Sequence, residues 1–294
     1  MMELKNVHTF LRAAELHNFS RVAQELGYAP STVTIQIQQL EQELGFQLFE
    51  RIGKRVSLTP MGKQFAGYAN EMMRISYQIK MIGMNPEQIT GTLRVGVLES
   101  LMDVRLARIL PNYCALYPHS SLSVKTGNGG ELSLLLRQND LDLIYILDNK
   151  ISDPEFISPY SHPEELVFVT YPGHRLVSRT HVELEEILSE SLILTERTGL
   201  YRKRLAEVAA MRNLTIDPMI EIDNVAVIIQ LLQQGHGVSF LPEYAVHEYI
   251  KRHLLSTIHT HIEPQHFYSQ LFYHKNKWVT PQMEGIISLI KRNF

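Results

Sequence analysis

Residues 20–58 read SRVAQELGYAPSTVTIQIQQLEQELGFQLFERIGKRVSL, and the middle of this stretch decides the fold. Val33, Ile37, Leu40 and Leu44 recur at spacings of four, three and four, which places them in one stripe of a helix that Gly45 ends. At about 100° per residue, the opposite face holds Ser31, Ile35, Gln38 and Gln42, flanked by Thr34 and Gln39. No charged side chain occurs from Ser31 through Leu40. A helix that meets only water normally carries Glu and Lys there. Uncharged hydrogen-bonding groups and one isoleucine suit base edges and thymine methyls instead, an ordinary neutral polar helix being the alternative.

Working outward, Leu4, Val7, Leu11 and Ala14 define an earlier helix, and Ser20 caps a short second one over Val22, Ala23 and Leu26 that Gly27 closes. A tight turn follows at Tyr28-Ala29-Pro30. Downstream, residues 46–49 and 55–58 read as two short strands, a hairpin with Gly53 at its turn. Arg51, Lys54, Arg55 and Lys63 supply cations with no acid between them. Short helix, tight turn, second helix and basic hairpin make a winged helix-turn-helix over residues 1–58. In that arrangement the third helix enters the major groove and the basic wing touches phosphates of double-stranded DNA.

Thr59-Pro60 starts a further helix. In it Phe65, Tyr68, Met72, Ile75, Ile79 and Ile82 recur three and four apart as a dimer seam, packing on the chain's own domains being the alternative. Gly83 and Asn85-Pro86 stop it, so residues 59–91 read as linker helix and hinge. From residue 92 strands alternate with helices, predicting two α/β lobes, one of about 92–161 with 268–294 and one of about 162–267. The expected class is thus α+β multidomain: winged helix-turn-helix, long linker helix, two-lobed α/β domain. Ligands in such sheets gather where strand carboxyl ends meet helix N-termini.

Composition narrows the function. Of 294 residues, 45% are hydrophobic and 20% charged, the balance of a folded chain. The net charge of -3 makes any nucleic-acid surface a local one. The single Cys114, on a helix with an apolar face, reads as a buried thiol and excludes internal disulfides and Cys-rich zinc sites. His253, His259, His261 and His266 lack a partner at metal-ligand spacing, so no metal site is expected. GxSxG, P-loop, HExxH and GxGxxG are absent, which argues against an enzyme, and no cofactor is implied. The N-terminus has no apolar signal segment and no run spans a membrane, so a cytoplasmic protein is expected and a secreted solute-binding protein is not. A protein-interaction module at the N-terminus remains the competing reading of the first domain.

Over nearly the whole chain these residues resemble the LysR-type transcriptional regulators. The likeness is densest from Phe10 to Gly62, through Ala13-Ala14, Asn18-Phe19-Ser20, Ala23, Leu26, Gln39-Leu40-Glu41, Leu44-Gly45, Leu48-Phe49-Glu50-Arg51 and Leu58-Thr59. Further on it is collinear at Gly96, Tyr117-Pro118, Leu141-Asp142-Leu143, Gly235, Gly237 and Leu241-Pro242. The resemblance implies a homodimer or homotetramer on promoter DNA, with Ser31, Thr32, Thr34, Ile35 and Gln38 of the third helix on the bases and Arg51, Lys54 and Arg55 of the wing on the backbone, governed by a small-molecule effector in a domain like type 2 periplasmic binding proteins. Two positions depart from the pattern: Pro30 stands where a glutamine is common, and Ile35 where an arginine or other polar residue is. The effector positions implied are Glu99, Ser100, Leu101, Thr126, Gly127, Asn128, Glu196, Thr198, Tyr201 and Asn224. Their hydroxyls and amides suit a small carboxylate, and the two acids suit an amine, so an amino acid satisfies both. Helix capping by Ser100, Thr198 and Asn224 is the alternative.

Overall fold

The computed structural model describes residues 2–52, 55–81, 88–260 and 267–294. Three helices come first, α1 (Leu4–Leu16), α2 (Phe19–Leu26) and α3 (Pro30–Leu44), then a hairpin of β1 (Phe49–Ile52) and β2 (Arg55–Leu58). Their apolar stripes converge on Val7, Phe10, Leu11, Val22, Val33, Ile37, Leu40 and Leu48. Phe10 sits at the centre, its ring 5.4 Å from Phe49 and 4.9 Å from Phe65. A buried polar pair joins α1 to α3 here: Thr9 Oγ1 donates to Gln36 Oε1 at 2.7 Å.

Two boundaries differ from expectation. The cap of α2 is Asn18, not Ser20, because its Oδ1 accepts from both Ser20 N and Arg21 N. The first strand starts at Phe49, not at residue 46, because the Glu41 carboxylate accepts from Leu48 N at 2.7 Å and Phe49 N at 3.2 Å. Those bonds hold the segment against α3 before pairing can begin.

Helix α4 (Pro60–Met81) opens on Thr59, whose Oγ1 accepts from Gly62 N at 2.9 Å. Its predicted seam divides. Phe65 and Met72 turn inward and pack on the core of the first domain, whereas Tyr68 is 66% exposed, Ile79 62% and Ile75 45%. The break arises because α4 lies across α1 and the wing, so its first turns have a neighbour in the same chain. Ile82 lies outside the described residues.

Beyond the linker, β3 (Gly91–Val97) enters a five-stranded sheet with β4 (Ser120–Thr126), β5 (Leu143–Asp148), β6 (Phe156–Glu164) and β12 (Phe267–His274). The order is β4-β3-β5-β12-β6, parallel among β3, β4 and β5 and antiparallel where β12 lies between β5 and β6. The segments α5 (Glu99–Leu101), α6 (Ala107–Leu116), α7 (Gly129–Arg137) and α12 (Pro281–Asn293) belong to this lobe. A π-helical turn, Met102–Leu106, joins α5 to α6.

The second lobe carries β7 (Leu166–Thr170) between β10 (Val238–Pro242) and β11 (Ser256–Ile258), with a parallel pair of β8 (Ile193–Leu194) and β9 (Ile220–Glu221). A parallel bridge from Leu192 to Val238 ties that pair to β10. Helices α8 (Leu184–Leu188), α9 (Leu200–Met211), α10 (Val225–Gln233) and α11 (Glu243–Lys251) complete it. The chain passes into this lobe between β6 and β7 and returns into β12 at Phe267.

Strand β6 is unforeseen in the sequence. It holds Pro159 and Pro163, which cannot donate to a ladder, and it is accommodated because it is the edge strand beside β12. Cys114 is also a correction: it is exposed, since α6 buries Ile109 and Tyr113, and the next residue turns about 100° away. Of the histidine cluster, His261 and His266 lie outside the described residues. Among the described residues no helix is long and apolar enough to cross a membrane.

Candidate functional site

Two surfaces gather the chemistry. The first is the outer face of α3. Pro30 stands at the first helical position, where its missing N–H costs nothing, and Val33, Gln36, Ile37 and Leu40 point inward. That rotation exposes Ser31, Ile35 and Gln38 and leaves Thr32 and Thr34 half-buried. Ile35 is 51% exposed, an apolar side chain held out from the helix. Thr34 Oγ1 donates to Pro30 O at 3.2 Å, which occupies its hydroxyl hydrogen and leaves the oxygen able to accept. In the wing, Arg51 pairs with Val56 and Ile52 with Arg55 in register, while Lys54 lies outside the described residues.

The second surface is a cleft of about 830 Å³ between the lobes. Glu99 and Ser100 reach it from α5, Thr126, Gly127 and Asn128 from the end of β4, Glu196 and Thr198 from the approach to α9, and Tyr201 from its first turn. Eight of the ten positions implied by the resemblance therefore line one cavity. Leu101 does not: it is fully buried in the lobe core, because α5 turns its apolar side away from the opening. Asn224 sits at the lip, where its Nδ2 donates to Glu99 Oε1 at 2.6 Å across the two lobes, while its Oδ1 accepts from Val227 N and caps α10. Asn128 likewise caps α7 through Glu131 N. Asp148, Thr195, Lys203 and Asp223 also line the cavity and were unforeseen. Asp148 ends β5, so the rule that ligands meet strand carboxyl ends already pointed to it.

At the cleft floor Ser100 Oγ lies 2.9 Å from Tyr201 OH and 2.7 Å from Tyr244 OH, a hydroxyl cluster spanning both lobes. Burial pushes both phenols up, so they stay protonated, and either oxygen of each pair can donate. Two acids are also shifted upward. Burial raises Glu99, and repulsion from Asp103 and Asp223 adds to it despite the Asn224 hydrogen bond. Burial likewise raises Glu196, with Asp223 and Glu221 contributing and Lys203 opposing.

Behind the floor, Arg105 lies in the π-helical turn and is 6% exposed. Its Nη2 is 2.7 Å from Glu164 Oε1, and its Nη1 donates to Ser269 Oγ at 3.0 Å and Tyr145 OH at 3.1 Å. Glu164 ends β6 and Ser269 lies in β12, the strands through which the chain leaves and re-enters this lobe. The guanidinium also stands 5.0 Å from the ring centroids of Tyr244 and Phe294. A buried cation with partners on both crossing strands fixes where the lobes meet.

A winged helix-turn-helix with an uncharged, outward reading face, joined by a long helix to two lobes around a polar cleft, defines a ligand-responsive DNA-binding regulator. The comparisons with known proteins agree. Residues 4–63 match the family model for bacterial regulatory helix-turn-helix proteins of the lysR family, and residues 86–294 match the LysR substrate binding domain. The chain belongs to the LysR family of transcriptional regulators.

Among its relatives, the uncharacterised HTH-type transcriptional regulator YwqM of Bacillus subtilis (strain 168) is 33% identical, with all of both chains covered. The regulator GltR of the same organism is 25% identical over all of this chain and 97% of its own. Among solved structures, a full-length OxyR variant from Pseudomonas aeruginosa superposes with a TM-score of 0.59 at 19% identity, covering 99% of this chain and 95% of that one. Full-length BenM gives a TM-score of 0.55 at 22% identity, covering 99% and 96%. These two show the shared fold. The chain is thus a DNA-binding transcriptional regulator with an effector-binding domain.

Proposed function

We propose that the chain reads promoter DNA through Ser31, Thr32, Thr34, Ile35 and Gln38 of α3, with Arg51, Lys54 and Arg55 of the wing on phosphates. The observation that carries this is the exposed Ile35 within an uncharged helix face. The domains are taken as 1–58, 59–91 and 92–294. Two copies pair through the exposed Tyr68, Ile75 and Ile79 of α4, and a small-molecule effector sits in the cleft against Ser100, Thr126, Thr198 and Tyr201. Closure of the lobes around it shifts how the paired reading heads sit on their half-sites.

The test is to incubate the full-length protein with sheared DNA of its source at about 0.15 M salt and sequence what is retained. Intergenic fragments with half-sites about one helical turn apart support the reading. Retention without sequence preference removes α3 as the reader, and no retention at low salt returns the domain to a protein-interaction role.

Two substitutions separate base reading from phosphate contact. Ile35→Ala is expected to lower preference for one base pair about fivefold, from the loss of about 1 kcal/mol of methyl contact. The salt dependence should stay as it was, and an unchanged selected site would sink the assignment. Arg55→Ala is expected to weaken every duplex alike and to reduce the slope of log affinity against log salt by about 0.9 per contact. An unaltered slope takes Arg55 off the backbone.

A further inference from the structure

The charge in the cleft decides between the ligand classes left open by the sequence. Of the acids lining it, Glu131 is paired with Lys125 at 3.0 Å and Glu207 with Arg204. Among the described residues, no ion pair reaches Glu99, Glu196, Asp223 or Asp148. Lys203, whose charge partly offsets that of Glu196, is the lining cation left over. The unpaired wall is therefore negative.

The helix N-termini at the cleft, where an anion would sit, already have protein acceptors or an acid beside them. Three helices of eight residues or more begin at the cleft; side chains cap two of them, and an acid stands beside the third. Asn128 Oδ1 takes Glu131 N at α7, and Asn224 Oδ1 takes Val227 N at α10. At α9 the Glu196 carboxylate stands so close to Gly199 that a Cβ there would lie 2.8 Å from Glu196 Oε1. A ligand carboxylate arriving at any of the three would displace one of these oxygens or meet like charge. The acids are also spread out: among the described residues no three His, Cys, Asp or Glu side chains converge to hold a metal ion. Spaced carboxylates that repel one another across an open cavity suit an extended organic cation, whose ammonium hydrogens each find an oxygen.

We propose that the effector of this chain is a small organic cation, an aliphatic amine seated between Glu99, Glu196 and Asp223. The proposal rests on the reading of the cleft as the effector site and names the chemistry it selects. Its carbon chain lies along Leu98, Leu147 and Phe267, the apolar part of the lining.

The experiment measures the unfolding midpoint of the full-length protein with 1,4-diaminobutane, L-lysine or succinate, each at 10 mM and constant ionic strength, followed by calorimetric titration of whichever stabilises it. An amine present at ten times its dissociation constant raises the midpoint by roughly 3 °C. The double substitution Glu99→Gln with Glu196→Gln, which keeps the shapes and the Asn224 hydrogen bond, weakens it at least tenfold. Should that variant fold poorly, Asp223→Asn at the exposed lip reads the same loss. Stabilisation by succinate alone, or by neither amine, overturns the cationic assignment and leaves the cleft in place. An amine effect undiminished in the substituted protein places the ligand elsewhere and fails the cleft reading itself.

Discussion

Arg105→Met is expected to destabilise the effector-binding domain by about 3–5 kcal/mol, the cost of leaving Glu164 buried without its cation. Methionine fills much of the arginine stem volume, so the loss is electrostatic and does not come from a cavity. Three donors of the guanidinium are engaged, by Glu164, Ser269 and Tyr145, and two ring faces lie against it. The check is urea unfolding of the full chain followed by far-UV circular dichroism. The transition of the effector domain should move to lower urea while that of the winged domain stays in place. Adding Glu164→Leu should return most of the stability, because a buried pair replaced by apolar groups is often neutral. A double variant no better than Arg105→Met would show that the arginine acts through packing and not through charge.

Gly62→Ala carries the second large effect, on DNA binding. A Cβ at position 62 would lie 2.1 Å from Leu48 O and 3.1 Å from the Leu58 side chain, and the nearest atom is backbone. Leu48 O cannot retreat, because Thr59 N donates to it at 3.0 Å, and the amide of the same residue is held by Glu41. The methyl therefore lifts the start of α4 from the wing, an overpacking cost of about 3 kcal/mol. In a domain of roughly 60 residues, where the net stability is small, that is enough to unfold most molecules. Apparent DNA affinity should fall about tenfold, by the folded fraction lost, while the effector-domain transition is unchanged. Retention of normal affinity would mean that α4 can move off the wing at little cost.

The two domains differ in how far they were legible. Helix α3 was readable because Val33, Ile37, Leu40 and Leu44 keep one period and glycine stops them, so the reading face followed by subtraction. The loop residues of the cleft were reached through the family pattern, and Leu101 failed there because a pattern locates a turn but not which of its side chains turns inward. The Arg105 network was invisible for a different reason. Its partner Glu164 is 59 residues away and ends a strand that two prolines disguise. The α4 seam shows the limit of periodicity itself: three-and-four spacing identifies a buried face but not what buries it, and here two neighbours share it.

The place of β12 has a consequence for how the protein is made. This strand lies between β5 and β6, so the first α/β sheet cannot close until residues beyond Phe267 have left the ribosome. The winged domain and α4 are complete by Met81, about 190 residues earlier, an interval of roughly 10–40 s at ordinary elongation rates. During that time a nascent chain already presents a finished reading head and an exposed helix face, while the module that governs it is still half a sheet. The DNA-binding domain is thus complete before the domain that governs it.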